Sequence, residues 1–264
     1  MSNHIHPTAL VDPAARLGRD NRIGPYAVVE AGTELGDGNV VESHAVIRAG
    51  TRLGHRNRVH EHAVLGGPPQ DLSFDPATAS GVSIGSDNVF REHVTVHRAT
   101  RAGTDTVIGD GNFLMNGAHV AHDCRLGNGV VIAPYAGLGG HVEVADRAFV
   151  SGGVMVHQFT RIGTLAMLGG NSKITRDALP FMITDGVPGR VRGLNVVGLR
   201  RAGFSAADLR ALKQAYRVLF AGVRPLEERL AALRAMDSEH AARLAEFIAG
   251  SQRGFHRAGG GETA

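Results

Sequence analysis

The chain has 264 residues, with 28 basic side chains against 25 acidic ones and a formal net charge of +3. That balance argues against a nucleic-acid protein, which carries a strong basic excess on one face. The 36 glycines, the absence of tryptophan and an aromatic content of 5% suit short strands and tight turns better than an ordinary globular core.

A period of six residues runs along the chain from its start. Stepping by six from Ile5 through Val11, Leu17 and Ile23 to Leu65 meets only Ile, Leu or Val. A second run goes from Ile108 to Ile174, and Ile84, Phe90 and Val96 join it in phase. An α-helix cannot use this period, whereas a stacked parallel β-helix lays one short strand and one corner per hexad. The slot four residues after each aliphatic one holds compact groups such as Ala27, Ala45, Ala118 and Ser172. Cys124 shares that slot and reads as a small buried residue rather than a nucleophile. Asn21, Asn39 and Asn57 recur there at intervals of three hexads, so three hexads make one triangular coil, with the asparagines stacked as a ladder. The period is silent on handedness.

Two segments break it. Residues 66–83 shift the phase by one, and 98–106 are rich in turn formers; both are expected to leave the helix as loops. The β-helix is therefore expected over 1–178. Residues 179–202, with Pro180, Gly186, Pro188, Gly189 and Gly193, read as a connector. A helical domain follows over 203–264. A capping box at Ser205–Asp208 precedes Leu209, Leu212, Tyr216 and Leu219 on one face. Gly222 is expected to close that helix and Pro225 to open the next; a third spans about 238–248, and 257–264 reads as a disordered tail. Such helices can cover the open end of a solenoid. The first residues, Met1-Ser2-Asn3-His4, show no signal peptide, and no apolar run of about 18 residues predicts a membrane span. With one cysteine there is no disulfide framework, which fits a reducing, cytoplasmic setting.

The early histidines (His4, His6, His44, His55, His60 and His62) read as solvent-facing. The central ones carry more information. With an 18-residue coil, His122, Gly140 and Gln158 share a column at about 4.8 Å per step, and so do Asp123 and His141. An imidazole beside a carboxylate, next to a glycine with a bare backbone N–H, suits acyl transfer: a base for a hydroxyl proton and a donor for an oxyanion. A hydrated polar ridge would produce the same column. Zinc is not expected, because His119 and His122 would need a third histidine near Ser83 or Ser86.

Five segments carry a family resemblance: Asn116-Gly117-Ala118-His119-Val120-Ala121-His122-Asp123-Cys124, Gly140-His141-Val142, Val156-His157-Gln158-Phe159, Pro69-Gln70-Asp71-Leu72, and Gly193-Leu194-Asn195 onward to Leu199. In this order they resemble the UDP-N-acetylglucosamine O-acyltransferases of lipid A biosynthesis, over nearly the whole chain. The resemblance implies a left-handed β-helix with a C-terminal helical domain, assembled as a homotrimer with its sites between subunits. It implies transfer of a 3-hydroxyacyl group from acyl carrier protein to the glucosamine 3-hydroxyl, with no cofactor beyond the carrier's phosphopantetheine. By the same resemblance His122 is the base, Asp123 supports it and the Gly140 N–H forms the oxyanion hole. Asp71, His119, His141, His157 and Gln158 hold sugar, phosphate or acyl groups. Asn195 and Arg201 contact the nucleotide, and Gly170, lacking a side chain, leaves room for a longer acyl chain. The chain departs from the family at Ser73, where a lysine is usual, at Ala202, where a second basic residue is usual, and over Asp75-Pro76-Ala77-Thr78. An N-acyltransferase acting on a 3-amino sugar nucleotide would use the same base, and a non-catalytic scaffold would need none. Lys173, Arg176, Arg190, Arg192, Arg200 and Arg201, opposed only by Asp177 and Asp185, form a candidate docking patch for an acidic carrier; a solvated charged face is the alternative.

Overall fold

A computed structural model describes residues 2–221 and 224–258. Strands of mostly two residues stack into three parallel sheets, A, B and C, which form the faces of a triangular left-handed β-helix. Ile23 pairs with Val41, Val29 with Ile47 and Leu17 with Leu35, an offset of one 18-residue coil on every face. The aliphatic residue of each hexad points inward and is almost wholly buried from Ile23 to Ile174. No helix is long and apolar enough to cross a membrane.

The asparagine ladder is longer than its sequence spacing suggested. Each backbone N–H of Asn21, Asn39, Asn57, Asn88 and Asn112 donates to the side-chain oxygen of the asparagine one coil before it, starting from Asn3. Asn112 passes the ladder on to the Val130 N–H. Asn88 and Asn112 escaped the 18-residue count because the two insertions lengthen their coils, pairing Val59 with Phe90 and Phe90 with Leu114. These groups are buried, so each bond lost exposes a donor that water cannot reach. Asn57→Ala removes the acceptor for both Asn88 nitrogens and the donor to Gly85 O. It is expected to cost at least about 2 kcal/mol, at about 1–3 kcal/mol per stranded group. Equilibrium denaturation checks this, and an unchanged midpoint would mean that water replaces the ladder.

Both insertions leave the corner between sheets B and C. Pairing persists to Gly67 and resumes at Gly81, so the first loop is 68–80 rather than 66–83; the second strand ends at His97 and the next starts at Asp105, leaving 98–104. Gly81–Ile84 pairs over four residues with Asp105–Ile108, which extends the strands beyond the hexad phase.

The expected connector is not irregular. Met182–Asp185 adds to sheet A and Arg190–Leu194 pairs with it antiparallel, followed by the short helix α1 (Val196–Arg201). The hairpin closes the end of sheet A, and helices α2 (Ala206–Phe220), α3 (Leu226–Arg234) and α4 (Glu239–Ala249) pack on it through Leu179, Met182 and Val191. Ser205 and Asp208 form the capping box. The chain then returns to the β-helix: Asp177 N donates to Gly254 O, and Val191 N to Arg257 O. Arg257 and Ala258 are thus held by strand pairing, against the expected disorder; Gly222 and 259–264 lie outside the described residues.

Outward positions differ by face. On sheet C they are largely charged, with Arg125, Glu143 and Arg161 in register. On sheet A, Val89, Phe113, Val131, Phe149 and Met167 follow one another coil by coil.

Candidate active site

The corner between sheets B and C gathers the chemistry. Asp123, His141 and Phe159 occupy its left-handed turn position on successive coils, with φ near 60°. The other corners use the same conformation at Tyr26, His44 and Arg147, so it belongs to the scaffold and is no sign of strain special to the site. The turn aims each side chain outward, stacked on its neighbour. Backbone bonds from His141 N to His122 O and from Phe159 N to Gly140 O lock the column.

His122 Nδ1 lies 2.8 Å from Asp123 Oδ2. The carboxylate can only accept, so Nδ1 is the donor, and in the neutral ring Nε2 is the nitrogen able to take a proton. Thr100 adds its hydroxyl to the same oxygen at 2.8 Å, and its N–H reaches both carboxylate oxygens at 3.2 Å. Burial alone would push the Asp123 carboxyl up, but the bonds from His122 and Thr100 together hold it below the usual range. His141 Nε2 approaches Asp123 at 3.6 Å, meets the His122 ring edge-on and stacks face to face on Phe159 at 4.5 Å.

Gly140 sits directly against the imidazole. A Cβ built there would lie 2.5 Å from His122 Cε1 and 2.7 Å from Nε2. Its carbonyl is used, but its N–H donates to no group among the described residues. A base and an unpartnered main-chain donor therefore share one small space.

His119 stands on sheet B, its Nδ1 2.7 Å from Thr95 Oγ1 and its ring edge-on to His97. Burial, then the charge of His122, lowers its pKa. His97 behind it is pushed down to about 4 by burial and by both neighbours, so neither imidazole adds positive charge near the base at neutral pH. Asp71 comes from the first loop and feels the His122 charge. Its Oδ1 is capped by the N–H and hydroxyl of Ser73, the residue that replaces the usual lysine, and these bonds lower its pKa. His157 and Gln158 are exposed on the next coil, the former turned to the Gln158 carbonyl. Cys124, wholly buried with a thiol pushed up to about 12 by burial, takes no part.

Three of the implied residues lie elsewhere in the chain. Asn195 is buried, donating to Leu165 O and capping α1 through Gly198 N, so its amide is committed to the fold. Arg201 is exposed at the end of α1. Gly170 is on the corner between sheets A and B, across sheet B from His122 and three coils on. Asp177, counted against the basic patch, is turned inward onto Arg161 N and Ser251 Oγ. The ligand-type atoms of His122, Asp123 and His141 lie within 4.8 Å of one another, but Asp123 Oδ2 already accepts from His122 Nδ1 and from both the hydroxyl and the N–H of Thr100. Thr100 and Phe159 are the contributors that residue patterns did not assign. Phe159 falls in the same 18-residue column as His141, whereas Thr100 arrives from an insertion whose path no period describes.

A triangular β-helix with a histidine–carboxylate pair one coil from a free backbone N–H defines a hexapeptide-repeat acyltransferase. Residues 14–49 and 105–140 match the bacterial transferase hexapeptide family, and 177–256 match UDP N-acetylglucosamine O-acyltransferase, domain 2. The acyl-[acyl-carrier-protein]–UDP-N-acetylglucosamine O-acyltransferase of Burkholderia orbicola is 48% identical over 96% of this chain and 99% of its own length. A Synechocystis protein of the same name is 50% identical over 63% of this chain; the match spans 60% of that relative's length. Among solved structures, the UDP-N-acetylglucosamine acyltransferase of Bacteroides fragilis superposes with a TM-score of 0.93 at 34% identity, covering 96% of this chain and all of that one. The chain belongs to the acyl-[acyl-carrier-protein]–UDP-N-acetylglucosamine O-acyltransferase family.

Proposed function

We propose that this chain transfers a 3-hydroxyacyl group from the thioester of acyl carrier protein to the glucosamine 3-hydroxyl of UDP-N-acetylglucosamine, the first step of lipid A biosynthesis, in the cytoplasm. The observation that carries this is the His122–Asp123 pair set against the unpartnered Gly140 N–H. His122 Nε2 takes the hydroxyl proton as the sugar oxygen bonds to the thioester carbon. The tetrahedral oxyanion is received by the Gly140 N–H. Collapse breaks the carbon–sulfur bond, and His122 returns the proton to the carrier's thiolate. Asp123 holds the ring in the required tautomer and balances the imidazolium. No cofactor is needed beyond the donor's own phosphopantetheine.

Asp71, His119, His141, His157 and Gln158 are the candidates to hold the acceptor and the thioester. Asn195 serves by fixing α1 and its exposed Arg201, which is left to meet the nucleotide. The inward turn of Asp177 leaves Lys173, Arg176, Arg190, Arg200 and Arg201 exposed with little opposing charge, a surface suited to an acidic carrier. The apolar outward column of sheet A from Val89 to Met167, with Met155 exposed on sheet B and the charged column Arg125, Glu143 and Arg161 on sheet C, favours a homotrimer in which sheets A and B meet those of neighbouring copies. Gly170 can limit an acyl chain that runs across sheet B, and its missing side chain favours a longer one.

Acyl transfer should be assayed from hydroxyacyl carrier proteins of several lengths to UDP-N-acetylglucosamine and to its 3-amino analogue. An O-acylated product from the former is expected. Product from the amine alone would move the reading to N-acylation, and none from either would leave a scaffold.

A further inference from the structure

Residues 98–100 touch both halves of the site. The Arg98 N–H donates to Gly67 O at 2.8 Å, which plants the residue at the root of loop 68–80. Its guanidinium then spans the loop: Nη1 donates to Thr78 O and to Ser80 Oγ, Nη2 to Pro76 O at 2.8 Å, and the group lies 4.9 Å over the Phe74 ring. Phe74 is the residue whose N–H closes the turn on Asp71 O, at 3.0 Å. Leu72 at the tip is fully exposed, so the tip gains no anchor from burial. Two residues beyond Arg98, Thr100 holds the Asp123 carboxylate. Arg98 makes no ion pair among the described residues; its planar fork is spent on loop carbonyls, a use for which lysine is no substitute.

We propose that Arg98 is a positioning residue for the acceptor: it fixes loop 68–80, which carries Asp71 out from the same corner that bears His122, while Thr100 on the same short segment fixes Asp123. The segment thereby sets the spacing between the group that holds the sugar and the base that takes its proton. This rests on the acyl-transfer reading above.

The test uses the full chain carrying Arg98→Met and Arg98→Lys, with each substrate varied in turn. Both variants are expected to raise KM for UDP-N-acetylglucosamine about tenfold or more, the size of one or two lost hydrogen bonds. KM for the acyl carrier protein should stay within about twofold. Phe74→Ala, which removes only the ring under the guanidinium, should raise the same KM less. In an Asp71→Asn background, adding Arg98→Met should cost little more, because the two act through one contact. Equal losses toward both substrates, full additivity with Asp71→Asn, or an unchanged KM for the sugar nucleotide would each overturn the proposal. Calorimetric binding of UDP-N-acetylglucosamine to wild type and Arg98→Met separates this from a failed functional reading. Wild type that binds the nucleotide tightly without acylating it, while the variant binds weakly, would sink the chemistry and keep the brace.

Discussion

His122→Ala is expected to lower kcat by at least about two orders of magnitude, the usual contribution of a positioned general base. The expectation follows from its surroundings more than from its residue type. Asp123 fixes the proton on Nδ1, Thr100 fixes Asp123, and Nε2 is left facing the space beside Gly140. His119 and His141 are nearby, but the first is tied to Thr95 and the second is stacked on Phe159, so neither can swing into the vacated position. Single-turnover acylation of UDP-N-acetylglucosamine, with circular dichroism to check the fold, measures the effect. A rate within a few-fold of wild type would mean that another group takes the proton. Asp123→Asn should weaken the same step, since an amide can present its N–H to Nδ1 and favour the wrong tautomer.

Gly140→Ala should be almost as damaging, for a different reason. Its backbone N–H survives, yet the new methyl would lie 2.5–3.1 Å from three atoms of the His122 ring, closer than carbon atoms tolerate. The ring must turn away, and a displacement of about 1 Å at the reacting centre can cost about a hundredfold in rate. Only a modest loss of stability should follow, because the ring, although its side chain is just 15% exposed, lies outside the apolar core of the β-helix. Thermal unfolding and kcat measured together check the pair of expectations. A large loss of stability with proportionate loss of rate would place Gly140 in the scaffold. Full activity would mean that the imidazole and the residue 140 backbone do not act together.

Much of this site could be read along the chain because a solenoid turns sequence distance into spatial distance. Residues one coil apart are neighbours, so His122 with Gly140 and Asp123 with His141 could be paired by counting. The same arithmetic found Asn21, Asn39 and Asn57, then missed Asn88 and Asn112 where 13 and 6 added residues broke the count. It missed Thr100 for the same cause. Asn195 shows a different failure: a family motif marks the position, but only packing reveals that its amide is spent on Leu165 and Gly198.

The hexad period by itself determined the repeating strand, the inward aliphatic row, the triangular coil and the column that joins base to backbone donor. These are local and periodic, and each follows from alternating a buried side chain with a tight corner. Tertiary structure alone decided how the two insertions fold back over the corner, how Arg98 and Thr100 brace it, and how the hairpin and the returning C-terminal segment close the helix. Those depend on contacts between segments with no common period, where the energy of a few long-range hydrogen bonds and ring contacts, not residue spacing, selects the path.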